Sequence, residues 1–141
     1  MGLDAFVYRN KENLPFDADA LGASFDATTG EYYFEDPELD KKFSLEMRTA
    51  IEKRIGNIDL VAHLRHLAQQ ILDENSVVLS RVLYSGSHTG DSLDAQFFPS
   101  LENELSLLRN ATRSSHDMKL FVDDMCELVT AAKKEGNPIV F

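Results

Sequence analysis

The chain has 141 residues, with 24 Asp plus Glu against 14 Lys plus Arg, four His and one Cys. That length supports a single domain over residues 1–141, and a domain of this size buries roughly 70 % of its unfolded surface, so it needs no disulfide or metal staple. The formal charge of −10 excludes the basic face that nucleic acid requires and opposes docking on an anionic membrane.

One Cys makes neither an internal disulfide nor a Cys-rich zinc site, so a reducing, cytoplasmic location is expected. The opening MGLDAFVYRN has neither the basic n-region nor the apolar run of a secretory leader. No stretch reaches the roughly 20 apolar residues of a membrane span.

In chain order, Leu3 to Tyr8 reads as a first strand, with Leu3, Ala5 and Val7 on one side and Phe6 and Tyr8 on the other. Ala23–Asp26 and Glu31–Glu35 flank Ala27-Thr28-Thr29-Gly30 and read as a β-hairpin, which Asp36-Pro37 ends. A first helix is expected from Ser44 to Ile55, with Phe43, Met47, Ala50, Ile51 and Ile55 on its apolar face and Gly56 just past its end. Asn57 or Asp59 caps a second, running to about Asp73, with a Leu60, Leu64, Leu67, Ile71 stripe. Val77–Tyr84 is β-branched and apolar and reads as a central strand. A third helix covers Ser100–Asn110 with Leu101, Leu105 and Leu108 inward. A fourth starts after Ser114 or Ser115 and runs to Lys134, its core face Met118, Phe121, Val122, Met125, Val129 and Ala132. Gly136 ends it, and Ile139-Val140-Phe141 can close the sheet. The expected fold is α+β: a small, mostly antiparallel sheet of N-terminal strand, hairpin, central strand and C-terminal strand, packed against about four helices.

Ser85, Ser87, His88, Thr89 and Asp91 crowd one small-residue loop after the expected central strand, a common location for a binding site. A nucleophile reading takes Ser85 or Ser87 with His88 as base and Asp91 as orienter. It lacks a G-x-S-x-G elbow, and neighbours on one tight loop rarely point at a common atom. The competing reading is a structural turn with local Ser and Asp hydrogen bonds. No catalytic residue is assigned, and the loop stands as a binding candidate only.

His63 and His66 are three apart on the second helix, whereas a helical zinc pair wants i, i+4. Asp17-x-Asp19 with Gly22 matches three positions of a calcium loop but fails at Thr28, where the bidentate Glu belongs. No metal and no cofactor is expected. Cys126, beside the core face of the fourth helix, reads as a buried inert thiol.

Charge is the most informative feature. From Glu12 to Asp40 there are nine acids and no Lys or Arg, interleaved with Phe16, Phe25, Tyr32, Tyr33 and Phe34. One reading is a solvated hairpin whose aromatics alternate into the core. The other is a partner-facing surface, in which Asp17, Asp19, Asp26, Glu31 and Glu35 pair with basic groups while Tyr32 and Tyr33 anchor.

The opening Met1-Gly2-Leu3-Asp4 and the loop Ser85-Gly86-Ser87-His88-x-Gly90-Asp91 together resemble a group of small bacterial proteins that begin MGLD and carry SGSHxGD-type loops before a helix. That resemblance implies no activity and no site residues. In size, acidity and lack of catalytic motifs the chain is also similar to immunity proteins of bacterial toxin systems. The expected function is therefore a non-enzymatic acidic domain that binds another, basic, protein. The alternatives are a small-molecule enzyme or ligand-binding domain using the Ser85–Asp91 loop with His88, and a homodimer formed through the second or fourth helix.

Overall fold

The computed structural model describes all residues, Met1 to Phe141. Strand β1 (Gly2–Tyr8) runs through the middle of a four-stranded sheet and buries Leu3, Ala5 and Val7 completely, as its alternation requires. On one side it pairs antiparallel with β4 (Thr49–Asn57), on the other with β6 (Ile139–Val140), and β6 pairs with β5 (Ser92–Leu93). The order β4-β1-β6-β5 gives the last strand an interior place. Strands β2 (Ser24–Asp26) and β3 (Glu31–Tyr33) form the expected hairpin, with Gly30 at φ 80°, but as a separate two-stranded sheet.

The helices are α1 (Pro37–Lys42), α2 (Leu45–Arg48), α3 (Ile58–Gln69), α4 (Phe98–Ala111) and α5 (His116–Glu135), so the fold is α+β. Their ends follow local chemistry. Asn57 Oδ1 accepts from Leu60 N at 2.8 Å to start α3, and Ser115 Oγ accepts from Met118 N at 3.2 Å to start α5. Gly136, at φ 67°, closes α5 in the left-handed conformation. All six residues expected on the core face of α5 are buried, as are Leu101, Leu105 and Leu108 of α4.

Two expected elements are different. The stretch read as a helix from Ser44 to Ile55 is one helical turn, α2, followed by the nine-residue strand β4. Strand β1 needs a partner for its outer backbone groups, and pairing across Ala5↔Lys53 and Val7↔Ile51 supplies it. Gly56 is therefore no helix cap. It lies beside β1, where a Cβ on Gly2 would fall 2.4 Å from the Gly56 carbonyl oxygen.

The central strand expected at Val77–Tyr84 is instead a π-helical turn over Val78–Val82, closed by Leu83 N donating to Val78 O at 2.8 Å. Glu104 of α4 caps it, its carboxylate accepting from Val77 N at 3.0 Å and Val78 N at 2.8 Å. Val78, Leu79, Val82 and Leu83 are buried, so the run is apolar because it is core, whatever its backbone.

Smaller corrections follow from rotation of the helices. Val61, Leu64 and Ala68 form the buried face of α3, while Leu60, Leu67 and Ile71 are partly buried at its margin. Cys126 is exposed, not buried. No helix is long and apolar enough to cross a membrane.

Candidate functional site

The loop after the π-helical turn is closed upon itself. His88 has a side chain only 6 % exposed, its ring stacked on Tyr84 at 4.4 Å between centroids and tilted against Phe141 at 5.1 Å. Nε2 lies 2.8 Å from the Val82 carbonyl oxygen. Nδ1 lies 2.7 Å from Asp91 Oδ2 but off the hydrogen-bonding direction, so the contact is not a directed bond. The Tyr84 hydroxyl donates to the same carboxylate oxygen, holding the Asp91 carboxyl below its ordinary range and pushing the Tyr84 hydroxyl up to about 12.

Other parts of the fold hold the loop in place. Arg65 of α3 donates to the carbonyls of Leu83 at 3.1 Å and Tyr84 at 3.3 Å. Gly90 N donates to Phe141 O and Phe141 N to Asp91 O, each at 2.9 Å, tying the loop to the chain beyond β6. Ser85 Oγ accepts from Ser87 N at 3.4 Å, and neither serine bonds His88. Thr89 is exposed. The structure thus brings His88 to Asp91 but joins no hydroxyl nucleophile to them. A cleft of about 200 Å³ lies beside the loop, bordered by Arg81, Tyr84, Asp91 and Phe141.

The acidic region is arranged in the opposite way, anchored at its base and open at its tip. The base is Arg48, whose residue is 3 % exposed. Its guanidinium donates to Tyr32 O at 2.9 Å and to Glu31 Oε1 at 3.1 Å, and lies 3.1 Å from Asp40 Oδ1. Glu31 is thereby turned inward. Burial pushes its carboxyl above the ordinary range in spite of Arg48, and burial beside Glu31 pushes the Tyr8 hydroxyl up to about 12. Phe16, Phe34 and Phe43 pack together as a small aromatic cluster, with centroids 4.7 to 5.5 Å apart.

Apart from Asp40, which also meets Arg48, the other acids named for this surface are not drawn to that cation. Asp17 Oδ1 accepts from Ala20 N at 3.0 Å, Asp26 Oδ1 from Thr28 N at 2.9 Å, and Asp19 pairs with Lys11. Glu35 is exposed and Tyr33 half-buried. At the tip, Phe25 is 52 % exposed, and its ring lies 4.8 Å from that of Tyr32. The two rings border a cleft of about 340 Å³ between the hairpin and the end of α5, to which Asn10, Lys11, Glu12, Glu135, Gly136 and Asn137 also contribute. Sequence reasoning named Tyr32 but missed Glu12, Phe25 and Glu135 as parts of one site. A signal was available for Glu135: a carboxylate in the last turn of a helix opposes the helix dipole, where Lys or Arg is favoured.

His63, His66 and His116 are exposed, and no group of three His, Cys, Asp or Glu side chains gathers at metal-binding spacing. Comparison with protein-family models, curated proteins and solved structures finds no match to this chain.

Proposed function

We propose that the chain is an acidic protein-binding domain whose hairpin end receives a basic partner. The observation that carries the reading is the Phe25–Tyr32 pair, more than half exposed at Phe25, in a stretch of nine acids without a Lys or Arg. An exposed aromatic in a negative field offers an anchor with little ordering cost, and the field speeds encounter with a cationic surface while excluding acidic competitors. Asp17, Asp19, Asp26 and Glu35 are the outer carboxylates of that field, and Glu31 supports it from within. The most concrete version is a cytoplasmic, immunity-type inhibitor that occludes a basic bacterial toxin.

Immobilised protein challenged with native lysate tests this reading, with the Phe25→Ala and Glu35→Lys variants alongside. A basic partner is expected to bind at low salt, to leave at high salt, and to be lost on Phe25→Ala. No partner, or one indifferent to both salt and Phe25→Ala, overturns the reading.

A second reading, a small-ligand site at the loop, draws support from the cleft at Tyr84 and Asp91. Both His88 nitrogens already face oxygen acceptors, so that cleft suits binding by Arg81, Tyr84 and Asp91 better than general-base chemistry at His88.

A further inference from the structure

We propose that the cleft between the hairpin and the C-terminal end of α5 is a pocket for a guanidinium group, filled by an arginine side chain of the partner. This rests on the protein-binding reading and names the chemistry at its centre.

Glu135 is the first ground. The residue is 6 % exposed, yet all its hydrogen bonds come from neutral amides: Asn13 Nδ2 at 3.0 and 2.7 Å, and Asn10 N at 3.3 Å. No Lys or Arg nitrogen lies within the 4.0 Å of an ion pair: Lys11, which lines the same cleft, is paired with Asp19 instead, and Arg9 and Lys134 border the neighbouring cleft. Buried carboxylates are normally paired with a cation. Here the charge also stands in the last turn of α5, at the negative end of the helix. A carboxylate offers about four acceptor directions, of which three are used, so one remains for an incoming donor.

The second ground is independent of charge. Phe25 and Tyr32 both line the same cleft, their ring centroids 4.8 Å apart and their planes at 44°. Aromatic faces beside carboxylates recognise cations, and a guanidinium uses both at once, stacking flat while its N–H groups reach several acceptors. Asn137 supplies a further acceptor, because its Nδ2 is committed to Tyr8 O at 2.8 Å and leaves Oδ1 free to receive. The wall is rigid: a Cβ on Gly30 would fall 2.3 Å from Asn137 Oδ1, so the hairpin turn is seated against this side chain. Glu12, exposed at the rim, completes the acceptor set.

N-acetyl-arginine amide titrated into the isotopically labelled full chain tests the pocket by amide chemical shift. Saturable shifts are expected at Asn10–Asn13, Phe25, Tyr32 and Gly136, with N-acetyl-lysine amide binding more weakly. Glu135→Gln should weaken arginine binding about tenfold, the scale of one hydrogen bond to a charged group. Glu12→Gln, which removes a rim charge with no internal bond, should weaken it about threefold and cannot act by unfolding the chain. Scattered or non-saturating shifts, equal response to the lysine probe, or indifference to both variants overturns the proposal. Partner capture that needs Phe25 but ignores Glu12→Gln and Glu135→Gln overturns the pocket and leaves the partner-binding reading standing.

Discussion

The loop at residues 84–91 and the hairpin at residues 24–33 each gather polar and aromatic groups, and they use them oppositely. In the loop, Tyr84 donates to Asp91 and His88 Nε2 meets the Val82 carbonyl, and the imidazole disappears between two rings. In the hairpin, only Glu31 turns inward, and Phe25 is left in solvent. Geometry accounts for the contrast. Side chains on a tight loop converge, so polar partners find each other there. On the hairpin, Asp26 and Glu31 stand opposite each other across the strands and Arg48 takes only Glu31, while the exposed Asp17, Asp19 and Glu35 lie outside the strands.

The largest expected effect probes the base of the hairpin. Arg48→Leu removes the buried cation beneath Glu31, Asp40 and the Tyr32 carbonyl and leaves those acceptors uncompensated. A loss of about 3–5 kcal/mol is expected, the scale for breaking a buried ion pair from one side. Urea unfolding measures it. A loss below about 1 kcal/mol would mean that the hairpin stands without its anchor, and the contrast between rooted base and open tip would fail.

Next in size is the loop. His88→Ala removes the stack on Tyr84 and the partner of the Val82 carbonyl, for an expected loss of about 2–3 kcal/mol. Thr89→Ala, at an exposed position, should change stability by no more than about 0.5 kcal/mol. If His88→Ala were as mild as Thr89→Ala, the imidazole would not be the element closing the loop.

What the sequence made visible depended on how local the deciding physics was. The fourth helix was legible from Ser115, Gly136 and Pro138, each acting within one turn of the end it defines. The hairpin was legible from Gly30. Ile51 and Ile55 fit a helical face through Met47 and equally a strand face through Lys53, and the choice is made by β1, more than 40 residues earlier. The turn at Val78–Val82 is likewise decided at a distance, by the Glu104 carboxylate. The acid-rich tract was plain in composition. The cleft that adds Glu135 to it was not, because that residue arrives from the far end of the chain.

The smallest effect is also the one in which the two regions should move in opposite directions. Asp91 titrates below its ordinary value of 3.8, first because Tyr84 donates to it and then because of His88. A depressed carboxyl contributes stability that is present above the ordinary value and is lost as pH falls through the folded one. Tyr84, raised to about 12 by the same bond, contributes below its ordinary 10.0 and loses that as pH rises through about 12. Glu31 has the other sign. Burial raises its folded value, so what it contributes is fully present below the ordinary carboxylate range and declines as pH rises through the folded value. Acidification from about pH 6 to about pH 3 should therefore deprotect the Gly90 and Phe141 amides, which close the loop, before those of β3. Amide exchange corrected for its intrinsic pH dependence reads both in one experiment. Asp91→Asn should abolish the acid sensitivity of Gly90 and Phe141 and leave β3 unchanged. If β3 opened first, or if Asp91→Asn changed nothing at Gly90, the Tyr84–Asp91 contact would not be what holds the loop shut.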